Sequence, residues 1–181
     1  MGIKVTKAEL HAAKNTICKD LIAPNLKVLF CGINPGLYTA VTGNHFAKPG
    51  NRFWRALYAG GFTPGLINPE DDSVLLSYRI GITSFVPRAT ATATELLREE
   101  FLQGKDILIE KVLYFKPQWL AILGIDAYRK AFTNATAVMG LQEETIGNTK
   151  IWILPNPSGL NAHYPPQALG NMFKDFHTVI G

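Results

Sequence analysis

Cysteine and long apolar runs are both scarce in this chain of 181 residues. Its only cysteines, Cys18 and Cys31, are too few for a four-thiolate zinc or iron–sulfur site. A disulfide between them is compatible with the sequence, but a chain of this size does not need one, so we expect a reducing cytoplasm. No apolar run approaches the length of a membrane span, and no signal-peptide core follows Met1. We therefore expect no membrane partner.

Motifs that mark several common enzyme classes are also missing. The chain has no GxxxxGK[ST] sequence for a nucleotide phosphate and no GxGxxG sequence for a dinucleotide. Ser158 lacks the glycine two residues before it that a nucleophile elbow requires. The four histidines show no metal-ligand spacing. We therefore expect a function that needs neither a metal nor a cofactor.

Acidic residues are absent from two long segments. No Asp or Glu occurs from Leu21 to Pro69 or from Thr145 to Lys174, although the chain holds 14 acidic residues. The first segment contains four basic residues, namely Lys27, Lys48, Arg52 and Arg55. A surface without carboxylates suits contact with phosphates, because a misplaced acid repels them. Chance gaps are the alternative, unless functional motifs lie inside them.

Short apolar runs alternate with helical patterns along the chain. Buried strands are predicted at 27–31, 81–86, 119–123 and 150–154. Helices are predicted over 6–21, from a cap at Asn51 to Gly60, from Thr94 to about Phe115 with a break near Gly104, around Tyr128, and from Pro166 to Val179. This alternation indicates a three-layer α/β/α fold with a four-stranded parallel sheet. Because the chain is 47% hydrophobic and has no linker, residues 1–181 are predicted to form one domain.

The sequence GINPGL at 32–37 ends the first predicted strand without an acid, a base or a nucleophile. Asn34 cannot take up a proton at neutral pH, but its amide can hold a water molecule. That suffices when the electrophile is nearly formed before water attacks, as at the anomeric carbon of a sugar. A departing nucleobase such as uracil can be stabilised by backbone donors. The alternative is a tight turn without chemistry, which the loop taken alone favours.

Two further motifs accompany this loop in order: NHFAKPGNRFW at 44–54 and LPNPSGLNAHY at 154–164, with YRIGIT at 78–83 and ILG at 122–124 between them. On these motifs the chain closely resembles the mismatch-specific uracil-DNA glycosylase family, which includes thymine-DNA glycosylase. The resemblance extends from about Ala23 to the final helix. It implies a uracil-DNA glycosylase-like fold and base flipping into a pocket at the strand ends. Two of the motifs lie in the acid-free segments, which makes chance a poorer explanation for those gaps.

The resemblance also implies roles for individual residues. Asn34 would position the hydrolytic water, and Phe46 would stack on the flipped base. Backbone groups of Ile33 and Phe46 would meet the uracil edge. The wedge that fills the gap in the duplex, and the backbone that faces the widowed guanine, would come from Gly159, Leu160 and Asn161. A core position is the alternative for Phe46 and for Leu160, while Phe53 and Trp54 are predicted to be core.

Residues around the motifs supply candidate contacts to the DNA backbone: Lys48, Arg52, Arg55, Ser158 and His163. Arg52 and Arg55 are equally compatible with a solvated helix face. Ala162 stands where some family members have an arginine, which would weaken the hold on flipped DNA. Thr39 occupies a pocket position that is smaller in members that accept thymine, so we expect poor activity on G·T mispairs.

The leading hypothesis is a monofunctional DNA glycosylase that removes uracil, best opposite guanine, and leaves an abasic site for base excision repair. Etheno-cytosine is a further candidate base. The expected partner is double-stranded DNA containing uracil mispairs, bound by a monomer in the cytoplasm, or at the nucleoid in a prokaryote. One alternative is a general uracil-DNA glycosylase without mismatch preference. Another is a DNA-binding module that recognises damage without cleaving it.

Overall fold

The structure, a computed structural model, describes residues 4–181. Its strands are β1 (Val28–Gly32), β2 (Ile80–Ser84), β3 (Trp119–Leu123), β4 (Gly140–Ile146) and β5 (Thr149–Leu154). Its α-helices are α1 (Lys7–Ala12), α2 (Leu37–Thr42), α3 (Phe53–Ala59), α4 (Arg98–Phe115), α5 (Ile125–Phe132) and α6 (Pro166–Ile180). Two 3₁₀ helices span Pro69–Tyr78 and Ala93–Glu95.

The sheet has five strands in the order β2-β1-β3-β5-β4. The four predicted strands form its parallel part, as expected from their apolar runs. The prediction of a purely parallel, four-stranded sheet was wrong in one respect, because β4 pairs with β5 in the antiparallel sense. β4 lies at the edge, and most of its residues are exposed, so its sequence GLQEETI carries no apolar run. Polar edge strands of this kind escape a search for buried strands.

Each face of the sheet packs against helices, which gives the three predicted layers. On one face, Leu29, Leu120 and Ile153 contact a cluster that includes α4 and α5. On the other face, Phe30 packs with Phe53 of α3 and with Phe173 and Phe176 of α6. The rings of Phe30 and Phe53 meet edge to face at 5.4 Å, a favoured aromatic geometry. Phe53 and Trp54 are thus core residues, as predicted.

Two helix predictions were wrong. The predicted helix over 6–21 ends at Ala12, and Asn15 takes a left-handed conformation with φ of 64°, which a helix interior cannot hold. The predicted break near Gly104 is absent, because α4 continues through it. A Cβ at Gly104 would lie 2.2 Å from the carbonyl oxygen of Phe85. The glycine therefore permits close packing of the helix, which offsets its low helix propensity.

All four parallel strands end at the same edge of the sheet. The chain passes from β1 to β2 on one side and later returns to place β3 on the other side of β1. The carboxyl ends of β1 and β3 therefore form a topological switch point, where open α/β sheets bind ligands. Among the described residues, no helix is long and apolar enough to cross a membrane.

Candidate base-binding site

A cavity of about 400 Å³ opens at this switch point. Its walls come from the loop after β1, the loop after β2, the segment before α3 and the loop after β5. The cavity brings together residues that are far apart in sequence, among them Ile33, Asn34, Thr39, Phe46, Thr90 and Leu160. A space of this volume suits one small ligand.

The side chain of Asn34 is held in one orientation. Its Nδ2 donates to the Thr90 hydroxyl oxygen at 2.7 Å, to the Arg88 carbonyl oxygen at 3.0 Å and to the Pro35 carbonyl oxygen at 3.2 Å. Thr90 in turn donates its hydroxyl proton to the Thr92 carbonyl oxygen at 2.8 Å. The amide nitrogen is therefore committed to protein acceptors. Within residues 4–181 the Asn34 Oδ1 has no partner, so it remains the acceptor that the site can offer to a water.

An ion pair supports the carbonyl group that orients Asn34. The Arg88 guanidinium donates from Nε to Glu100 Oε1 at 2.6 Å and from Nη2 to Oε2 at 2.8 Å. This fork, together with the Leu97 amide, lowers the pKa of Glu100 to about 2. Arg88 Nη1 also donates to Asn15 Oδ1 at 2.9 Å. Arg88 therefore ties the loop after β2 to α4 and to the N-terminal segment, and its position is fixed from several sides.

Phe46 lies in the cavity wall in a conformation that its backbone alone would disfavour, with φ of 53°. Its ring stacks on Phe53 with the centroids 4.1 Å apart and 24° between the planes. A Cβ on Gly32 would lie 3.6 Å from Phe46 Cζ, so the ring also rests over the end of β1. One face of the ring is covered by Phe53, and the ring also lines the cavity. Phe46 thus joins the loop to the core, which reconciles the two sequence interpretations.

The residue before Phe46 is anchored by a buried carboxylate. Asp72 Oδ2 accepts from the His45 backbone amide at 2.9 Å and faces His45 Nδ1 at 2.8 Å. The other ring nitrogen, Nε2, lies 3.0 Å from the Lys19 carbonyl oxygen. Trp54 Nε1 donates to the His45 carbonyl oxygen at 3.1 Å. These contacts hold the left-handed turn at Phe46 in place, which is how strained conformations persist.

The two other expected base-contacting positions also line the cavity. Thr39 is a buried residue of α2, with its side chain in the wall. Ile33 follows β1 directly, but its carbonyl oxygen accepts from the Val86 amide at 3.0 Å. By contrast, the backbone N–H and C=O groups of Phe46 make no hydrogen bond with any described residue. Of the two residues predicted to contact a base edge through their backbone, Phe46 therefore has more hydrogen-bonding groups available.

The loop after β5 carries Leu160 at its apex, and 78% of the Leu160 residue surface is exposed. A core position for Leu160 is excluded by this exposure. Gly159 is also exposed, yet a Cβ there would lie 2.6 Å from the Gly50 carbonyl oxygen. The loop therefore packs directly on the segment that links Phe46 to α3. Asn161 Nδ2 donates back to the Asn156 carbonyl oxygen at 3.0 Å, which closes the loop on itself.

The basic residues predicted as phosphate contacts divide into two groups. Lys48, Arg55 and His163 are exposed, and Lys48 lies at the mouth of the cavity. Arg52 is directed inward, and its guanidinium donates to carbonyl oxygens of the loop after β5. Its main contacts are therefore neither with a phosphate nor with solvent on a helix face. The Ser158 hydroxyl accepts from the Leu160 amide at 3.3 Å.

The sequence interpretation missed Arg88 and three further residues that shape the site. Thr90 and Asp72 are buried polar residues, and their partners lie 56 and 27 residues away in sequence. Asp20 lines the cavity and pairs with Lys111 of α4, while the Thr83 hydroxyl donates to Asp20 Oδ1 at 2.9 Å. The only available signal was their occurrence beside motif segments. Nothing in a single sequence shows which distant side chain a buried polar residue meets.

The fold and this site together define an α/β protein whose switch-point cavity joins an oriented amide to an aromatic platform. The family model described as the uracil DNA glycosylase superfamily matches residues 19–177. The chain therefore belongs to the uracil DNA glycosylase superfamily. This membership supports hydrolysis of the N-glycosidic bond of uracil in DNA, as a base excision repair enzyme performs it.

A similar solved structure agrees with this fold. It is the solution NMR structure of a proposed uracil DNA glycosylase from Methanosarcina acetivorans. The two chains are 17% identical, the alignment covers 91% of this chain and 94% of the other, and the TM-score is 0.58. At this level of identity the similarity concerns the fold alone.

Proposed function

We propose that the protein is a monofunctional, mismatch-specific uracil-DNA glycosylase that flips uracil out of duplex DNA, best when the opposite base is guanine. It would act as a monomer on double-stranded DNA in the cytoplasm, or at the nucleoid of a prokaryote, and leave an abasic site. The observation that carries the proposal is the orientation of Asn34, whose Nδ2 is committed to Thr90 and Arg88 while Oδ1 remains available in the cavity.

The oriented amide matches the chemistry of N-glycosidic hydrolysis. The bond between the sugar C1′ and the uracil N1 breaks with its electron pair leaving on the base, and the sugar acquires oxocarbenium character. A water held by Asn34 Oδ1 then bonds to C1′, and its proton passes to the departing uracil or to solvent. No strong base is needed, because the electrophile is almost complete when the water attacks. Asn34 would therefore act by position, as its neutral amide requires.

The platform and the cavity size support uracil as the ligand. A base would stack on the ring of Phe46, a contact worth about 1–3 kcal/mol for any base. The N–H and C=O groups of Phe46, which have no partner among the described residues, would meet the polar edge of uracil. Discrimination among bases would then come from the wall, which includes Thr39, because its branched side chain would crowd the 5-methyl group of thymine.

Preference for mispairs is supported by the exposed wedge. Flipping a base out of a G·U wobble costs less than flipping it out of a Watson–Crick pair, since a mispaired base is held less firmly by its partner. Leu160 could fill the gap, while backbone groups near Gly159 would meet the widowed guanine. The Asn161 carbonyl oxygen already accepts from Arg52. The Gly159 carbonyl, which has no partner within residues 4–181, is therefore the better candidate for that contact.

The variant Asn34→Ala tests the proposed mechanism. Binding to a G·U duplex should be retained, while single-turnover excision should fall on the order of a hundredfold or more, the usual cost of losing a positioning group. The measurements are a fluorescence-anisotropy titration and quenched-flow cleavage of a labelled duplex after alkaline treatment. Near-normal excision by the variant would remove Asn34 from the mechanism. A wild-type protein that binds damaged DNA without excision would instead indicate the recognition module.

A further inference from the structure

Arg52 stands at the start of α3, directly beneath the loop formed by residues 156–164, which we call the wedge loop. Its backbone amide donates to the Pro157 carbonyl oxygen at 2.9 Å. Its side-chain Nη2 donates to the carbonyl oxygens of Ser158 and, at 2.8 Å, Asn161. Its Nη1 donates to the carbonyl oxygen of Tyr164. One residue thus collects four carbonyl groups spread over eight positions of the loop.

The charge of Arg52 is not matched by an acid. Among the described residues, no carboxylate lies within ion-pair distance of its guanidinium, and the buried Nε has no hydrogen-bond partner. Withdrawing a cation from water without an anionic partner is costly, so this arrangement is a poor device for stability alone. The hydrogen bonds of Arg52 have a different consequence: they order the exposed wedge loop from its buried side.

The wedge loop is closed by side chains on its remaining polar groups. Asn156 Oδ1 accepts from the Ser158 amide at 2.9 Å, and Asn161 Oδ1 accepts from the His163 amide at 3.2 Å. The amide groups of Gly159 and Ala162, at the exposed side, have no partner in the described chain. With its carbonyl groups gathered by Arg52, the loop keeps its apex in a defined conformation although Leu160 itself packs against little.

The wedge loop is also joined to the base platform through Arg52. The same short segment carries Gly50, whose carbonyl oxygen would lie only 2.6 Å from a Cβ on Gly159, and leads back to Phe46. Any shift of the loop toward this segment is blocked by backbone contact. The apex that would enter the duplex and the ring that would receive the flipped base are therefore held at a fixed separation.

We propose that Arg52 is a positioning residue for the wedge: it pre-orders residues 157–164 so that Leu160 enters the base stack without a further cost in loop entropy. This inference rests on the proposed function, because it assigns Leu160 a role in flipping. Ordering before binding removes a cost that would otherwise be subtracted from binding and flipping. Arg52 would act through Leu160 and would not touch the reacting atoms.

The first test concerns the loop without DNA. In Arg52→Met, amide hydrogen exchange at residues 158–164 should accelerate about tenfold or more, whereas amides of β1 and β3 should be unchanged, because local openings are independent of the sheet. Arg52→Lys retains the charge, but its single Nζ cannot occupy the positions of both Nη1 and Nη2. It should therefore give a smaller acceleration, and it remains informative if Arg52→Met does not fold. Arg129→Met is the matched control, since Arg129 braces the Ala137 carbonyl elsewhere. Unchanged exchange in the wedge loop would overturn the proposal.

The second test couples Arg52 to Leu160. Single-turnover excision from a G·U duplex should fall by up to roughly tenfold in Arg52→Met, because displacing the wedge can cost no more than removing it. In the Leu160→Ala background the same change should cost only about twofold, because the residue it positions is gone. Effects that multiply would contradict the proposal. If the wild type excises no uracil, the proposed function fails, while the exchange measurement still decides whether Arg52 orders the loop.

Discussion

The two sides of the cavity mouth are held in different ways. The catalytic side is supported by several independent contacts: Asn34 donates to Thr90 and to Arg88, and Arg88 is fixed in turn by Glu100. The wedge side is exposed, and its support comes mainly from Arg52 below. Water must be held at one point, whereas a wedge must leave the protein surface to enter DNA. Several independent contacts suit a residue that must hold a water in place. Contacts only on the buried side suit a wedge whose other side must stay free to enter DNA.

Of three substitutions around the cavity mouth, Thr90→Val should slow excision most, because it removes a contact that orients Asn34 on the catalytic side. The buried hydroxyl that accepts from Asn34 is replaced by a methyl of similar size, so Nδ2 loses the shortest of its three hydrogen bonds and the amide is held less firmly. We expect single-turnover excision to fall about ten- to a hundredfold, with DNA affinity little changed. Thr90→Ser restores the acceptor and should recover most of the rate. Equal losses in the two variants would show that the hydroxyl does not orient Asn34.

Leu160→Ala probes the exposed side. A wedge contributes only where neighbouring bases are stacked, because it offsets part of the free energy needed to unstack the flipped base. Without it, uracil removal from a G·U duplex should slow by roughly tenfold. Removal from single strands, if the enzyme acts on them, should be unaffected. Leu66→Ala is a suitable control, because Leu66 is also exposed but follows the far end of α3. A similar slowing on both substrates would contradict a wedge function.

Thr39→Ala should have the smallest effect and concerns substrate choice. Removing the branched side chain makes room for the 5-methyl group of thymine, and a pocket discriminates only modestly on a single methyl group. Activity on G·T pairs should therefore rise severalfold relative to G·U pairs. Thr42→Ala provides a control on the same helix, since the Thr42 hydroxyl bonds the Tyr38 carbonyl. An unchanged G·T to G·U ratio would remove Thr39 from base selection.

The parallel strands could be predicted from the sequence because they are buried on both faces. The run predicted at 119–123 coincides with β3, and the other three strands lie within two residues of their predicted bounds. The same logic failed for β4, whose exposed polar residues carry no such signal. It also failed at Gly104, where a local rule predicts a break and a tertiary contact with Phe85 favours the glycine.

The candidate site was predictable only as far as motifs reach. Asn34, Phe46 and Leu160 were located by the loops that carry them, and the structure places Asn34, Phe46 and Leu160 around one cavity. The supporting residues could not be found in this way. Arg52 was interpreted by its charge, which suggests phosphate, but its partners are carbonyl groups more than 100 residues away. Such contacts depend on the folded chain and leave no local pattern.

The most direct test of the account is a panel of labelled substrates under single-turnover conditions: uracil, thymine or etheno-cytosine opposite guanine or adenine, and uracil in a single strand. We predict that uracil opposite guanine is excised faster than uracil opposite adenine, that thymine opposite guanine is a poor substrate, and that Asn34→Ala loses the activity. Equal excision of uracil from G pairs, A pairs and single strands would contradict mismatch specificity and indicate a general uracil-DNA glycosylase.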